Sequence, residues 1–98
     1  MCRGEVWLVG GRPAVIVSND PANKALSRVQ VVPISDDVAR LYPCEAYVRL
    51  NGEQRKAMAD QIATIGKRRL KECVGRLTAA DMEALRRAVA LQLGFDRG

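Results

Sequence analysis

The chain has 98 residues, which is enough for one hydrophobic core and too few for two, so residues 1–98 are expected to form a single domain. Hydrophobic residues make up 48% of the chain and aromatic residues 4%, a composition that excludes disorder and predicts an aliphatic core. The formal net charge of +5 favours an acidic partner, such as nucleic acid or an acidic protein segment.

The N-terminal part of the chain has the pattern of an antiparallel hairpin. Residues 5–9 form a short apolar run around Trp7, and residues 14–17 form a β-branched run. Gly10 and Gly11 lie between the two runs, and paired glycines favour the tight turns that join neighbouring strands.

A third strand is predicted after a turn and a polar connection. Residues 18–21 have turn chemistry, and residues 23–28 are interpreted as a polar connection. Residues 29–34 form the next β-branched run, in which Pro33 marks an edge position, a bulge or the end of the strand.

The middle of the chain predicts further strands. Residues 38–43 are irregular or a single helical turn, whereas residues 44–50 alternate between apolar and polar side chains, as a half-buried strand does. Asn51-Gly52 is a strong turn dipeptide. Residues 56–65 are compatible with strand or helix, and we interpret them as a strand that ends at Gly66.

The C-terminal part predicts a helix. Residues 67–71 have the character of a short helical turn, and residues 73–77 of a last short strand. Thr78 has the sequence of a helix N-cap, and Gly94 supplies the stop. Between them, apolar residues recur on one helix face: Met82, Leu85, Val89 and Leu93. These elements predict a mainly β (α+β) fold, a small curled sheet or barrel with a C-terminal helix packed against it.

The absence of histidine excludes several kinds of site. It removes the usual general acid or base, the commonest metal ligand and every Ser-His or Cys-His nucleophile pair. The three cysteines are widely spaced and form no zinc motif, so we interpret them as free thiols, and we expect neither metal nor cofactor. No apolar run approaches the ~20 residues of a membrane span, and the N-terminus lacks a signal-peptide pattern, which predicts a cytoplasmic protein.

Two basic features are candidates for phosphate binding. Arg12 lies between the glycine pair and Pro13, so its guanidinium is held by a tight hairpin and either caps that hairpin or binds phosphate. Residues 67–71 form the densest basic cluster, which is either a solvated turn or a phosphate contact.

Three polar positions interrupt or end apolar segments. Ser35 ends a strand, where hydroxyls commonly satisfy turn amides, and Asn19 lies in a turn with the same ambiguity. Asp60-Gln61 interrupts an apolar segment, and such residues either bond the backbone or line a site.

An ordered series of segments runs along nearly the whole chain, and the match spans residues 3–93. The segments are Arg-Gly-Glu-Val-Trp-Leu-Val from Arg3, Gly-Arg-Pro-Ala-Val-Ile-Val-Ser-Asn-Asp from Gly11, Val-Pro-Ile-Ser from Val32, Ala-Asp-Gln-Ile from Ala59, Thr-Ile from Thr64, Arg-Leu from Arg69 and Gly-Arg-Leu from Gly75. The series resembles the MazF/PemK family of toxins from type II toxin–antitoxin systems. The resemblance implies an SH3-like small barrel of the CcdB/MazF/PemK type with a C-terminal helix. It also implies a homodimer, an acidic antitoxin as partner, and a metal-independent endoribonuclease that cleaves single-stranded RNA, whether mRNA, rRNA or tRNA.

The resemblance assigns catalytic roles to three residues. In this family the ribose 2′-OH attacks the neighbouring phosphate, a scheme that does not require histidine. Arg12 matches the family arginine and would stabilise charge on the phosphorane, because a guanidinium stays protonated. Ser35 matches a hydroxyl residue that would bond the scissile phosphate. Asp60 matches an aspartate that would orient or deprotonate the 2′-OH. The candidate RNA contacts are Arg3, Trp7, Asn19, Lys56 and Gln61.

The sequence departs from the family pattern at two places. Family members usually carry a longer loop between the first two strands, and a catalytic acid or base that this loop supplies in some relatives has no counterpart here. Met58 stands where some relatives place a catalytic arginine, and Lys56, on the same face of the predicted strand, is a candidate substitute.

Two other functions share the predicted fold. One is an SH3-like nucleic-acid-binding module without cleavage, which would need the basic surface but not Arg12, Ser35 and Asp60 together. The other is a gyrase-poison type of toxin that binds a topoisomerase subunit. The presence of Arg12 and Ser35 on the predicted cleft favours the endoribonuclease.

Overall fold

A computed structural model of the chain describes residues 1–95. Within this range the chain forms a curled antiparallel sheet of seven strands, two α-helices and two short 3₁₀ turns. In chain order they are β1 (Glu5–Val9), β2 (Arg12–Ile16), α1 (Asp20–Ala25), β3 (Arg28–Ser35), β4 (Glu45–Leu50), β5 (Glu53–Met58), the 3₁₀ turn Ala59–Gln61, β6 (Ala63–Gly66), the 3₁₀ turn Lys67–Arg69, β7 (Cys73–Arg76) and α2 (Ala79–Leu93).

Strand β3 is the centre of the sheet. The strand order is β4-β5-β3-β2-β1-β7, and β6 also pairs with β3. β3 pairs with β2 along one edge, while its other edge pairs with β6 at residues 28–31 and with β5 at residues 34 and 35. One long strand therefore spans both halves of the curled sheet, and its C-terminal end brings Ser35 next to β5.

The main core lies between the sheet and α2. Because alternate side chains of a strand point to opposite faces, β1 to β5 each contribute one of their faces to this core. It consists of buried aliphatic residues, as the low aromatic content predicts: Val6, Val15, Val32, Ile34, Ala46, Val48, Leu50, Ala57, Ala59, Leu77, Met82, Leu85, Ala88. At about 1.5–3 kcal/mol per buried large aliphatic side chain, this layer supplies most of the drive for folding.

A second, smaller core lies on the opposite face of the sheet. Its buried residues are Ala14, Ile16, Val29, Val31, Ile65 and Leu70, and the partly buried Trp7 and Val9 pack against them. The sheet is therefore apolar on both faces, which explains why β2 and β3 are nearly continuous hydrophobic runs.

The two predicted tight turns are present. Gly10 and Gly11 both have positive φ, 57° and 80°, and join β1 to β2 with Val9 opposite Arg12. Asn51 and Gly52, with φ of 54° and 84°, join β4 to β5 in the same way. Two successive positive φ angles are the signature of a type I′ hairpin turn, whose twist matches that of the strands.

The interpretation of residues 23–28 as a polar connection is wrong at its start, because α1 occupies residues 20–25. The Asn19 side chain caps this helix by accepting a hydrogen bond from the Ala22 amide at 2.9 Å. Asn23 is 2% exposed, and its side-chain amide donates to the Ser18 carbonyl at 2.8 Å while its carbonyl accepts from the Ser18 hydroxyl. Side-chain hydrogen bonds thus fix a helix that is too short to predict from periodicity.

Two further predictions need correction. Residues 56–65 are not one strand, because the 3₁₀ turn Ala59–Gln61 divides β5 from β6. Leu93, predicted on the buried face of α2, is 49% exposed, and Ala88 takes part in the core instead. Both predicted ends of α2 are confirmed: Thr78 caps the helix by accepting from the Asp81 amide, and Gly94 ends it in the left-handed conformation.

The predicted architecture, a small curled antiparallel sheet with a C-terminal helix packed against it, is confirmed. Cys2, Cys44 and Cys73 are all unpaired, as expected. Neither helix within residues 1–95 has the length and apolar character that crossing a membrane requires.

Candidate active site

An open groove of about 710 Å³ crosses the end of the sheet that carries the β1–β2 turn and the end of β3. Strands β1, β2, β3, β5 and β6 and both 3₁₀ turns contribute to its walls. Its lining consists of Val9, Arg12, Pro13, Ala14, Val31, Pro33, Ile34, Ser35, Asp36, Arg55, Met58, Gln61, Ala63, Ile65 and Arg69. The groove therefore has an apolar floor with a few polar and charged groups around it, which is the usual composition of a binding site.

Arg12 is the first residue of β2 and follows the glycine turn directly. The turn and the ring of Pro13 fix the backbone on both sides, so the base of the Arg12 side chain is held in place while its guanidinium is exposed. Within residues 1–95 the Arg12 guanidinium makes no ion pair or hydrogen bond. It is thus a positioned cation with all its donors available to an anion in the groove.

Ser35 is the last residue of β3 and lines the same groove as Arg12. Its Oγ accepts a hydrogen bond from the Asp37 amide at 3.1 Å, so the turn chemistry that the sequence allows is present. A hydroxyl that accepts from an amide still has its own hydrogen to donate. Turn formation and phosphate binding are therefore compatible roles for Ser35.

Two further arginines line the groove. Arg69, from the second 3₁₀ turn, belongs to the basic cluster at residues 67–71, and its neighbours Arg68 and Lys67 are outside the lining. Arg55, from β5, pairs with Glu53 at 3.5 Å, and sequence reasoning missed it. No local sequence signal marks Arg55, because its place in the groove depends on the pairing of β5 with β3.

The carboxylate that lines the groove is not the one that the sequence predicts for the site. Asp60 is exposed on the 3₁₀ turn Ala59–Gln61 and is not among the groove-lining residues, although its neighbour Gln61 is. Asp36 is the carboxylate that the described part of the chain places in the lining. Sequence reasoning treated Asp36 only as a turn residue.

Lys56 lies outside the groove, in contrast to the substitute role considered for it. Its side chain is 8% exposed and forms an ion pair with Glu45, of equal exposure, at 3.2 Å. The Lys56 Nζ also donates to the Arg40 carbonyl at 3.0 Å and lies 5.5 Å from the centroid of the Tyr42 ring. Met58, two residues further along β5, does line the groove.

Three other candidate RNA contacts, Arg3, Trp7 and Asn19, also lie away from the groove lining, whereas Gln61 is part of it. Arg3 lines two smaller depressions beside α2 and donates from Nε to the Val17 carbonyl at 3.3 Å. Asn19 caps α1, and Trp7 packs on the second core while its indole donates to Glu5 at 3.0 Å. The pKa of Glu5 is lowered below its usual value, mainly because the Cys2 amide donates a hydrogen bond to its carboxylate. Partial burial raises this pKa, whereas the Trp7 indole, the N-terminal amine and Arg76 lower it further.

A metal centre is not evident in the described range. Across residues 1–95, no three Asp, Glu or Cys side chains cluster closely enough to hold a metal ion. Guanidinium groups, one hydroxyl, one carboxylate and one amide provide the polar chemistry of the groove. Such a set suits the binding of a phosphodiester and the stabilisation of charge on it.

Comparison with known proteins agrees with this chemistry. Endoribonuclease MazF9 of Mycobacterium tuberculosis is 36% identical over 113 aligned positions, which cover 95% of this chain and 96% of the relative. Endoribonuclease MazF of Staphylococcus epidermidis is 29% identical, with coverage of 96% and 92%. The first alignment is longer than the 98-residue chain, so the relative has residues that this chain lacks.

Solved structures show the same fold. An endoribonuclease from a mycobacterial species superposes with a TM-score of 0.90 at 28% identity, covering 100% of this chain and 95% of the other. A mycobacterial endoribonuclease in complex with its cognate antitoxin also gives 0.90 at 28% identity, with coverage of 100% and 99%. The fold is thus the MazF/PemK-type barrel that the resemblance implies. The sequence pattern of the PemK-like, MazF-like toxins of type II toxin–antitoxin systems matches residues 3–93, and the chain belongs to this family.

Proposed function

We propose that this chain is the toxin of a type II toxin–antitoxin pair and that it acts as a metal-independent endoribonuclease on single-stranded RNA. The observation that carries the proposal is that Arg12 and Ser35, 23 positions apart in the sequence, line one groove. Two relatives of nearly full coverage are named endoribonucleases. The basic net charge suits a polyanionic substrate.

In this mechanism the ribose 2′-OH attacks the adjacent phosphate. The products are a 2′,3′-cyclic phosphate and a free 5′-OH. Charge accumulates on the phosphoryl oxygens as the attack proceeds, and Arg12 stabilises it from a position fixed before the substrate arrives. Ser35 donates its hydroxyl hydrogen to a phosphate oxygen.

The remaining polar groups of the groove hold the RNA. Arg55 and Arg69 contact the flanking phosphates, because a chain of phosphates crossing the groove passes several guanidiniums. Gln61, at the end of its 3₁₀ turn, contacts a base or a phosphate. The apolar floor, with Val9 and Pro13, lies against the face of an unpaired base.

The natural restraint on this activity is an acidic antitoxin. One of the solved relatives is in complex with its cognate antitoxin. An acidic, partly disordered antitoxin segment would fold onto the same basic groove and compete with RNA for Arg12 and its neighbours. We further propose that the toxin is a homodimer and acts in the cytoplasm, where its RNA substrates are.

The test is cleavage of a long single-stranded RNA in EDTA. We expect cleavage without added metal and 5′-OH ends at the cut sites. Arg12→Ala removes the main charge-stabilising group and is expected to lower kcat by about 10²–10³-fold, while circular dichroism shows an intact fold. Arg28→Ala, an exposed arginine outside the groove lining, is the matched control. Intact RNA at high concentration of folded protein would contradict the proposal and favour a binding module without cleavage.

A further inference from the structure

Asp36 has a position that the cleavage scheme above does not use. It follows Ser35 directly and is the carboxylate among the groove-lining residues of the described chain. Its neighbour Asp37 is engaged in the turn, because its amide donates to Ser35 at 3.1 Å and its Oδ1 accepts from the Ala39 amide at 3.2 Å. Within residues 1–95 the Asp36 carboxylate has no such partner.

The backbone on both sides of Asp36 is held by the sheet. On the N-terminal side, Ser35 pairs with Lys56 of β5. On the C-terminal side, the Tyr47 hydroxyl donates to the Val38 carbonyl at 3.0 Å. The Asp36 carboxylate has no partner of its own, but the backbone segment to which it belongs is fixed.

The same segment is anchored once more further along. Lys56 donates to the Arg40 carbonyl at 3.0 Å and pairs with Glu45, whose Oε1 accepts from the Tyr42 amide at 2.9 Å. Residues 36–44 have no regular secondary structure, yet these side chains fix them to the face of β4 and β5. The segment that bears Asp36 is therefore fixed beside the groove, and a catalytic base has to be positioned before it can remove a proton.

The groove around Asp36 contains no competing base. Its other charged lining groups are Arg12 from β2, Arg55 from β5 and Arg69 from the second 3₁₀ turn, all permanently cationic. Asp60, the sequence candidate for this role, is outside the lining. The tight β1–β2 turn leaves no loop that could bring another carboxylate across the groove.

We propose that Asp36 is the general base of the cleavage reaction. Its carboxylate takes the proton from the ribose 2′-OH as the 2′-oxygen forms a bond to phosphorus. The bond from phosphorus to the 5′-oxygen breaks, and the 5′-oxygen takes a proton from water. The protonated Asp36 then returns its proton to solvent, so no net charge or redox change remains. This inference rests on the proposed endoribonuclease function.

The decisive variant is Asp36→Asn, which keeps the size of the side chain and removes its basicity. We expect kcat for a short RNA around a mapped cut site to fall by about 10²-fold, within the usual contribution of a general base. RNA affinity should be unchanged or tighter, because the variant removes a negative charge near phosphates. Glu72→Gln, at an exposed carboxylate outside the groove lining, is the matched control and should keep near-normal kcat. Asp60→Asn is measured beside it as the test of the sequence candidate for the base.

The pH profile separates a base from a structural residue. Between about pH 7 and 9, the lining of the groove holds no titrating side chain, since it has no histidine, cysteine, lysine or tyrosine. The groups that anchor the segment from the sheet are Glu45, Tyr47 and Lys56. The unmodified protein should therefore show a flat kcat in this range. In Asp36→Asn, log kcat should rise by about one unit per pH unit, because hydroxide has to remove the proton.

The outcomes are distinct. Equal kcat for Asp36→Asn and the unmodified protein overturns the role of Asp36 and leaves the endoribonuclease intact. A loss of kcat with a flat pH profile and weakened RNA binding also overturns it, because such a loss indicates displacement of the segment. A loss confined to Asp60→Asn assigns the base to Asp60. No cleavage by the unmodified protein overturns the proposed function and this role together.

Discussion

The ion pair between Lys56 and Glu45 offers the sharpest test of how the segment at residues 36–44 is held. Both side chains are 8% exposed, and the charged atoms are 3.2 Å apart. Truncating one partner of a buried pair leaves the other charge without compensation, which typically costs about 3–5 kcal/mol. Lys56→Met also leaves the Arg40 carbonyl without its donor. We therefore expect Lys56→Met to lose about 3–5 kcal/mol of unfolding free energy.

Two more variants complete a double-mutant cycle. Glu45→Gln also leaves the Lys56 charge uncompensated, but its amide oxygen can still accept from the Tyr42 amide and from Lys56 Nζ, so this variant should lose less than Lys56→Met. The double variant Glu45→Gln/Lys56→Met contains no buried charge and should recover most of the loss, since a neutral replacement of both partners is well tolerated. The coupling free energy of the cycle should then exceed about 1 kcal/mol.

The assay is urea unfolding at neutral pH, followed by the fluorescence of Trp7, the single tryptophan of the chain. With a slope of about 1–3 kcal/mol per molar urea, a loss of 3 kcal/mol lowers the midpoint by about 1–3 M. Protein concentration is kept constant, because subunit association would shift the midpoint. A loss below about 1 kcal/mol for Lys56→Met, the range of solvent-exposed pairs, would refute the reasoning that this pair is desolvated.

Two further predictions concern other parts of the sheet. A Cβ at Gly75 would lie 2.8 Å from Cδ1 of Leu50, so Gly75→Ala should lower the free energy of unfolding, measured by thermal unfolding, by about 1–3 kcal/mol. Gly66→Ala is the control, because a Cβ at Gly66 has its nearest contact at 3.9 Å, and it should lose less than half as much. Equal losses in the two variants would show that the core adjusts around Gly75 without cost. Because the folded pKa of Glu5 is depressed, its contribution to stability is present above the usual glutamate pKa of about 4.3 and is lost as pH falls through the lower folded pKa. Trp7 fluorescence, which reports on its hydrogen bond to Glu5, should titrate below that usual pKa, and a fluorescence midpoint at or above it in the folded protein would contradict the assignment.

The hairpins and the C-terminal helix were predictable because their signals are local. Gly10-Gly11 and Asn51-Gly52 are dipeptides that favour positive φ, and both turns adopt it. The helix α2 has a cap at Thr78 and a stop at Gly94, and both act as predicted. In each case the residues that specify the structure are within a few positions of one another.

The short helix α1 and the division of residues 56–65 were not predictable in the same way. The helix α1 is held by Asn23, whose buried amide bonds to Ser18 five residues earlier. The break at Ala59–Gln61 exists because β5 and β6 pair with different parts of the same edge of β3. The first constraint is a set of side-chain hydrogen bonds and the second is a pairing with a distant strand, so local hydrophobic periodicity reveals neither.

The site was predictable in part. The resemblance singles out Arg12, Ser35 and Gln61, and the groove lining contains all three. The candidate role of Lys56 could not be judged from the sequence. The alternation of the strand places its side chain on one face but does not show that the side chain is buried in an ion pair with Glu45. Their catalytic and binding roles remain predictions for the experiments above.

The two-residue turn between β1 and β2 also makes this chain a useful scaffold for engineering. Apart from the adjacent residues of the turn, no atom lies within 4 Å of a Cβ built at Gly10 or Gly11, so added residues would extend into open space. The free-energy cost of closing a longer loop grows only with the logarithm of its length, by about 0.6 kcal/mol for each doubling. Loops of different length and charge can therefore be grafted at this point, and each graft measures what such a loop adds to substrate choice on an otherwise unchanged groove.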